Sequence, residues 1–315
     1  MLASAGLLAF NASVEVLAQP WPTKTVRMII PFPPGGTLDA VGRLLAQKLS
    51  EQTGQQFVVD NRAGGNGIIG ADAVAKAAPD GYTVLFNAST FVTTPMTMKS
   101  VPYSVERDFI PVVLVAKAPL SVAVAKQLPV TDITSLIRYA REQQGKATFA
   151  VGSIASAGHL ATERLRRAAG FDLTIVPYKG TAPAMQDLLG GRIDVFIDPV
   201  LGSLQHHRSG ALRVIAVTAA QRVPTLPEVP TVAETLRGFT AYTWYGIWVP
   251  ARTPTEVVQR LNAEVNKALS GELRERLAQQ GIIPAGGSPE DFARFQREDI
   301  TQSQKIITEA NIRVE

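Results

Sequence analysis

Short blocks of β-branched and apolar residues alternate along the chain with longer segments whose apolar positions recur at helical spacing. The first block, Val26-Arg27-Met28-Ile29-Ile30-Pro31-Phe32, predicts a strand over 26–32. It runs into Pro33-Pro34-Gly35-Gly36-Thr37. Beyond that, Leu38, Val41, Leu44, Leu45 and Leu49 share one helical face, with Gly54 past its end. Further strands are expected at 57–59, 82–86, 147–151, 173–176, 195–198, 212–217 and 242–249, together with a pair at 111–115 and 120–125 joined near Pro119. Helices are expected over 67–78, 131–143, 159–169 and 182–189, and the tail 254–311 reads as mostly helical. The order strand, small-residue or polar loop, helix recurs at 32–38, 60–68, 86–91, 151–160 and 177–182 without a fixed period. That alternation predicts an α/β protein with largely parallel sheets. In such sheets ligands collect at the C-terminal ends of the strands, where these loops gather.

Composition narrows the picture. A length of 315 residues fits about two domains of ordinary size. With 46% hydrophobic and 18% charged residues, a wholly disordered chain is excluded. The absence of cysteine excludes disulfides, thiolate zinc sites, iron–sulfur clusters and a cysteine nucleophile. A net charge of +4 comes from scattered positions. The densest, Arg164-Arg166-Arg167 and His206-His207-Arg208, are short and carry no interleaved aromatics, so they read as solvated helix faces and no nucleic acid is expected. Three histidines, two of them adjacent, make a poor zinc set.

Residues 1–18 differ from the rest. Met1 to Phe10 are small and apolar, and Val16-Leu17-Ala18 offers residues suited to signal-peptidase cleavage before Gln19-Pro20-Trp21-Pro22. Segment 1–18 therefore reads as part of a secretory signal, although a basic n-region is missing and Asn11 and Glu15 interrupt the apolar run. The other reading is a frayed cytosolic N-terminus.

Five features bear on chemistry. In Phe32-Pro33-Pro34-Gly35-Gly36-Thr37, two glycines and Thr37 as an N-cap would present free backbone N–H groups at a helix start, where the dipole favours an anion. A carboxylate or phosphate cradle and a plain Pro-Gly turn both fit, but the lysine of a P-loop is absent. Gly65-Asn66-Gly67-Ile68-Ile69-Gly70 matches the dinucleotide fingerprint, yet the next strand ends in Asn87 where that fold needs an acid. Loop 152–158 supplies Ser153 and Ser156 before His159; it is a ligand loop or a flexible connection, and His159 itself reads as packed or capping. Asp198 ends an apolar strand, either to contact a ligand or to cap the helix after Pro199. Lys179, before Gly180-Thr181, fits an anion contact or a surface charge. No G-x-S-x-G, S-x-x-K or H-E-x-x-H motif is present, which shifts weight from an enzyme to a binding protein.

Read together, these blocks resemble a family. They are Trp21-Pro22, then Ile30-Pro31-Phe32-Pro33-Pro34-Gly35-Gly36 with Asp39, Asn61-Arg62-Ala63-Gly64-Gly65-Asn66-Gly67, Ala78-Pro79-Asp80-Gly81-Tyr82, Pro177-Tyr178-Lys179-Gly180, Asp194-Val195-Phe196-Ile197-Asp198 and Leu226-Pro227-Glu228-Val229-Pro230-Thr231. From about residue 20 to the C-terminus the chain is similar to the Bug (TctC-like) extracytoplasmic solute-binding proteins associated with tripartite tricarboxylate transporters. The resemblance implies a type II periplasmic-binding-protein fold, with two α/β domains and a ligand cleft between them. On this reading one domain is 19–121 plus 245–315, the other is 122–244, and the chain crosses between them near 120–124 and 241–245. It also implies two loops that grip one ligand carboxylate, largely through backbone N–H groups and water. The first loop maps to Phe32, Pro34, Gly35, Gly36, Thr37 and Asp39. The second-domain loops map to 152–158, with Ser153, Ser156 and Ala157, and to Gly180-Thr181. Asp198 matches a family acid that reaches the ligand, and Ser89 and Thr90 match a polar strand-end loop. Two departures stand out. Ala155 and Ala157 replace glycines common in the family, which would trim the cleft or remove a water site, and Ala63 stands where proline is common.

The expectation is a periplasmic, monomeric solute-binding protein for a small carboxylate, without cofactor or metal, serving a membrane permease or a sensor. The alternatives are an NAD-dependent oxidoreductase using 65–70 and, more remotely, an amidase or isomerase on the same scaffold.

Overall fold

The computed structural model describes residues 21–313, so the signal-like segment 1–18 lies outside the described residues. In chain order the first elements are β1 (Val26–Ile30), α1 (Thr37–Thr53), β2 (Phe57–Asn61), α2 (Ile68–Ala75), β3 (Thr83–Ala88), α3 (Thr90–Thr97), the single turn α4 (Val105–Asp108) and β4 (Phe109–Ala125). Next come α5 (Ile133–Glu142), β5 (Thr148–Val151), α6 (Ala157–Ala169), β6 (Thr174–Pro177), α7 (Thr181–Leu189), β7 (Val195–Pro199), α8 (Val200–Arg208) and β8 (Leu212–Val217). The chain ends with β9 (Tyr242–Pro250), α9 (Thr255–Ala268), α10 (Glu272–Ala278), β10 (Ile283–Pro284) and α11 (Pro289–Ala310).

The strands form two groups. The first runs β2-β1-β3-β9-β4, and the second joins β4 to β7, β5 and β6, with β8 also on β4. One strand belongs to both. Phe109–Pro119 of β4 pair with β9, whereas Leu120–Val124 pair with β7 and Ser121–Ala125 with β8. The chain returns at 241–242, where Ala241 N–H donates to the Thr218 carbonyl at 3.0 Å just before β9 begins.

Two expectations change here. The 111–115 and 120–125 strands are one strand of 17 residues, and Pro119 sits within it opposite Tyr242. Proline lacks only the N–H, and at this changeover between partners the ladder tolerates the missing donor. The sheets are also mixed. β1, β2 and β3 are parallel, as are β5, β6 and β7, but every pairing of β4 and β9 is antiparallel. Strand–helix alternation predicts the parallel units and says nothing about strands that link one unit to the other.

Local chemistry explains most element ends. α1 stops at Gly54, which is left-handed at φ 71 and donates its N–H to the Ser50 carbonyl. α5 and α11 open with reciprocal capping by Asp132/Ser135 and Ser288/Asp291. α3 follows the strand–loop–helix order expected at 86–91, although Thr90-Phe91-Val92-Thr93-Thr94-Pro95 is poor helix sequence. Burial holds it: Phe91 meets the Trp248 ring with centroids 4.8 Å apart. In the first group the pleat sends Met28 and Ile30 into one core and Ile29 into another, as expected for a sheet covered on both faces.

Candidate functional site

The C-terminal ends of β1, β3, β5, β6 and β7 open onto one cleft between the two strand groups, and β4 and β9 form its floor through Leu120, Thr243 and Tyr245. Its enclosed space is about 80 Å³, room for roughly six water-sized groups.

The cleft gathers eleven of the residues expected from the sequence: Phe32, Gly36, Thr37, Asp39, Thr90, Ser153, Ser156, Ala157, Gly180, Thr181 and Asp198. It does not gather Pro34, Gly35 or Ser89. Pro34 and Gly35 lie exposed on the outer side of the turn, and Gly35 N–H donates to Asp39 Oδ2 at 3.1 Å. Ser89 faces a different cavity and sits 3.3 Å from Thr243 Oγ1. Thr37 is not the N-cap of α1. Gly36 takes that place with extended backbone, φ −86 and ψ 170, and Thr37 follows as the first helical residue.

That shift matters electrostatically. The first N–H groups of α1 receive no side-chain cap, nor do those of α7 behind Gly180 or of α8 behind Pro199. Uncapped helix starts carry unpaired donors and the positive end of the helix dipole. α1 and α7 also abut. A Cβ at Gly36 would stand 3.5 Å from Thr181 Cβ, and one at Gly180, where φ is 126, would stand 3.2 Å from Pro33 Cδ. α6 is different, because Ser156 Oγ accepts from His159 N–H at 3.2 Å and closes that end.

Asp39 lines the cleft with both oxygens engaged. Oδ2 accepts from Arg43 Nε at 2.9 Å and Oδ1 from Asn61 Nδ2 at 2.9 Å. Burial raises its pKa, but the bonds from Arg43, Asn61 and Gly35 outweigh that and hold it below the usual carboxylate range. Asp39 therefore fixes the loop rather than offering a vacant charge. Asp198 is the opposite case. Oδ1 accepts from Thr181 Oγ1 at 3.3 Å, whereas Oδ2 is buried without a partner. Burial pushes its pKa well up, with the Thr181 bond opposing. It does not cap the helix after Pro199.

Two more buried oxygens without partners, Thr37 Oγ1 and Tyr245 OH, line the same cleft. Burial, and then the nearby Asp198, pushes the Tyr245 pKa well up. Buried polar atoms are paired as a rule, so three orphans in one small cleft mark a place for a polar guest. Tyr245 and Thr243 were missed in the sequence. Alternation along 242–249 separates them from Trp244 and Trp248, but nothing local says which face meets the cleft.

The remaining candidates resolve. His159 is packed: it is 5% exposed, its Nδ1 accepts from Ala155 N–H at 3.1 Å, and burial lowers its pKa to about 4. Lys179 is exposed and outside the cleft. Ala155 packs its methyl among Leu160, Ile307 and Ile312, so of the two extra methyls only Ala157 reaches the cleft. In the segment 65–70, Gly67 packs on Phe32, Gly70 lies against Pro31 and the Arg62 carbonyl, and Asn66 bonds to Thr94 and Ile154. Its glycines serve close packing.

Two α/β groups that share a long strand and place their strand-end loops around one cleft define a periplasmic binding protein. Comparison gives the family. Residues 41–312 match the tripartite tricarboxylate transporter family receptor, TctC. BugT of Bordetella pertussis is 35% identical over 323 residues, covering 100% of this chain and 98% of its own. Among solved structures, R. palustris Rpa4515 with adipate superposes with a TM-score of 0.91 at 38% identity, covering 93% of this chain and 99% of that one. MatC (Rpa3494) of Rhodopseudomonas palustris with bound malate gives 0.85 at 30% identity, covering 91% and 100%. The chain belongs to the TctC family, the Bug type of periplasmic solute-binding protein.

Proposed function

We propose that this chain captures a small carboxylate in the cleft and presents it to a tripartite-type permease or to a sensor. One carboxylate group would lie between the starts of α1 and α7, held by backbone N–H groups and ordered water. Thr37, Tyr245 and Asp198 would bond the rest of the molecule. The observation that carries this is the meeting of two uncapped helix starts, Gly36 and Gly180, beside three buried oxygens without partners. Amides and water specify a carboxylate but leave the rest of the ligand open.

The two lobes are read as 19–121 plus 245–315 and 122–244, and the change of partners along β4 at Pro119/Leu120 supports that division. Hinge motion between them would exclude water from the cleft. The same proposal takes the chain as periplasmic and monomeric. Relatives bound to adipate and malate favour a dicarboxylate of that size. Among the described residues no helix is long and apolar enough to cross a membrane.

The test is native mass spectrometry of the chain from Gln19 onward, followed by a thermal-shift panel of carboxylates. A ligand at 100 times its Kd adds about 2.7 kcal/mol, a shift of several degrees. An acid retained unchanged in mass supports the reading. Turnover of the acid, or no shift with any acid, sinks it.

A further inference from the structure

Strand β9 has a second face. Thr243 and Tyr245 point to the cleft described above, while Tyr242 and Trp244 line a separate cavity of about 480 Å³ on the other side. That volume lies in the range of small-molecule sites, roughly 300–1,000 Å³. Its walls come from α3, α6 and α11 as well as from β4 and β9.

The cavity gathers three charged side chains, and the Lys117 charge partly offsets the burial that raises the Asp299 pKa. Lys117, Arg164 and Asp299 all line it, and none of them joins an ion pair among the described residues. Lys117 Nζ stands 4.3 Å from the centre of the Phe295 ring, so its ammonium lies against an aromatic face. Arg164 donates one nitrogen to the Thr240 carbonyl at 2.6 Å and rests on Phe239, which leaves donors of its planar fork unused. Asp299 is held by Ser303 Oγ at 3.5 Å, and burial raises its pKa. Trp244 meets Phe295 edge-on with centroids 5.4 Å apart. Its indole N–H is buried and faces the Asp299 carboxyl without closing a hydrogen bond of normal geometry.

Two cations against one acid give the cavity a positive balance, and its aromatic walls favour an apolar body. We infer that this cavity is a second small-molecule site, taking an organic anion with an aromatic or branched apolar body. Lys117 meets the anionic group, and Trp244 and Phe295 cover the apolar part. Asp299 sets a limit on the charge the site accepts, since a second anionic group near it is repelled. The two sites are distinct but adjacent: alternate residues of β9 face the two cavities, and Ala157 borders both.

The probe is anilinonaphthalene sulfonate, an aromatic anion whose fluorescence rises on transfer from water to an apolar site. Wild-type protein, folded by circular dichroism, is expected to bind one equivalent saturably. Lys117→Met removes a charged partner and is expected to weaken binding about tenfold or more. Asp299→Asn, which removes the opposing charge, is expected to tighten it several-fold. The opposite signs separate a site effect from a folding defect. Absence of saturable binding to the wild type, or affinity unchanged in both variants, overturns the inference. So does a probe that Lys117→Met leaves in place while Tyr245→Phe and Asp198→Asn release it.

Discussion

The side-chain amide of Asn66 donates to the Ile154 carbonyl at 2.9 Å, joining segment 65–70 to the loop that precedes α6 across 88 residues of sequence. The same nitrogen reaches Thr94 Oγ1 at 3.0 Å, and next to it Thr93 Oγ1 donates to the Ala155 carbonyl at 2.8 Å. Two of these bonds, Asn66 to Ile154 and Thr93 to Ala155, cross between the two proposed lobes. On the hinge reading they would latch the closed form.

Asn66 has φ 56, a left-handed conformation that glycine accepts freely, so Asn66→Gly removes the amide without straining the turn. Losing a hydrogen bond worth about 1 kcal/mol in the closed form weakens ligand binding roughly fivefold. The change is expected in the dissociation rate measured by stopped flow. An unaltered rate would show that the latch contributes nothing.

Gly36→Leu tests the meeting of α1 and α7. Gly36 has φ −86, so the substitution costs no backbone strain; its Cβ makes an ordinary contact 3.5 Å from Thr181 Cβ, and the longer side chain adds bulk between the two helix starts. Closure of the proposed lobes is expected to suffer. Carboxylate affinity is expected to fall at least about tenfold, while the ligand-free Tm stays within about a degree. Retained affinity by calorimetry would mean that the two helix starts do not close on the ligand.

Asp198 predicts a pH dependence. Its folded-state pKa lies well above 3.8 because the carboxyl is buried. The folded protein therefore holds a proton that the unfolded chain releases, and ligand-free stability falls as pH rises from about 4 through the folded pKa. Asp198→Asn removes this loss. Its Tm is expected to match the wild type near pH 4 and to exceed it increasingly toward pH 8. A constant gap across the range would contradict the assignment.

His159 acts in the opposite sense. It is held neutral by burial, with its pKa lowered from 6.5 to about 4. The unfolded chain takes up a proton first, so stability is lost as pH falls from 6.5 toward 4, by about 3 kcal/mol in all. His159→Gln keeps an acceptor for the Ala155 N–H and is expected to flatten that part of the urea-denaturation profile. The comparison is with wild type under identical conditions, which separates it from the Asp198 contribution.

A Cβ at Gly158 would overlap the Ile197 carbonyl. Gly158→Ala therefore drives the start of α6 away from β7, beside Asp198, and is expected to cost about 2–3 kcal/mol of stability by chemical denaturation. This glycine serves close approach and needs no positive φ.

The sequence by itself determined the order of elements, the α/β class and the family. These depend on local signals: apolar spacing in α1, the left-handed stop at Gly54, the serine and aspartate caps of α5 and α11. The loop Phe32 to Thr37 was legible for the same reason, since glycine and proline restrict the backbone wherever they stand. Tertiary structure decided the rest. Pro119 looked like a break, yet long-range pairing with β7, β8 and β9 carries β4 through it. The threonine-rich α3 is weak helix sequence and is held by the burial of Phe91 and Val92. The glycines of 65–70 spelled a cofactor motif and became packing against Pro31 and Phe32. Tyr245 carried no local signal at all. It joins the cleft because β9 runs between two cavities and its pleat sends every second side chain to each, and which cavity receives which side chain depends on elements hundreds of residues apart in the chain.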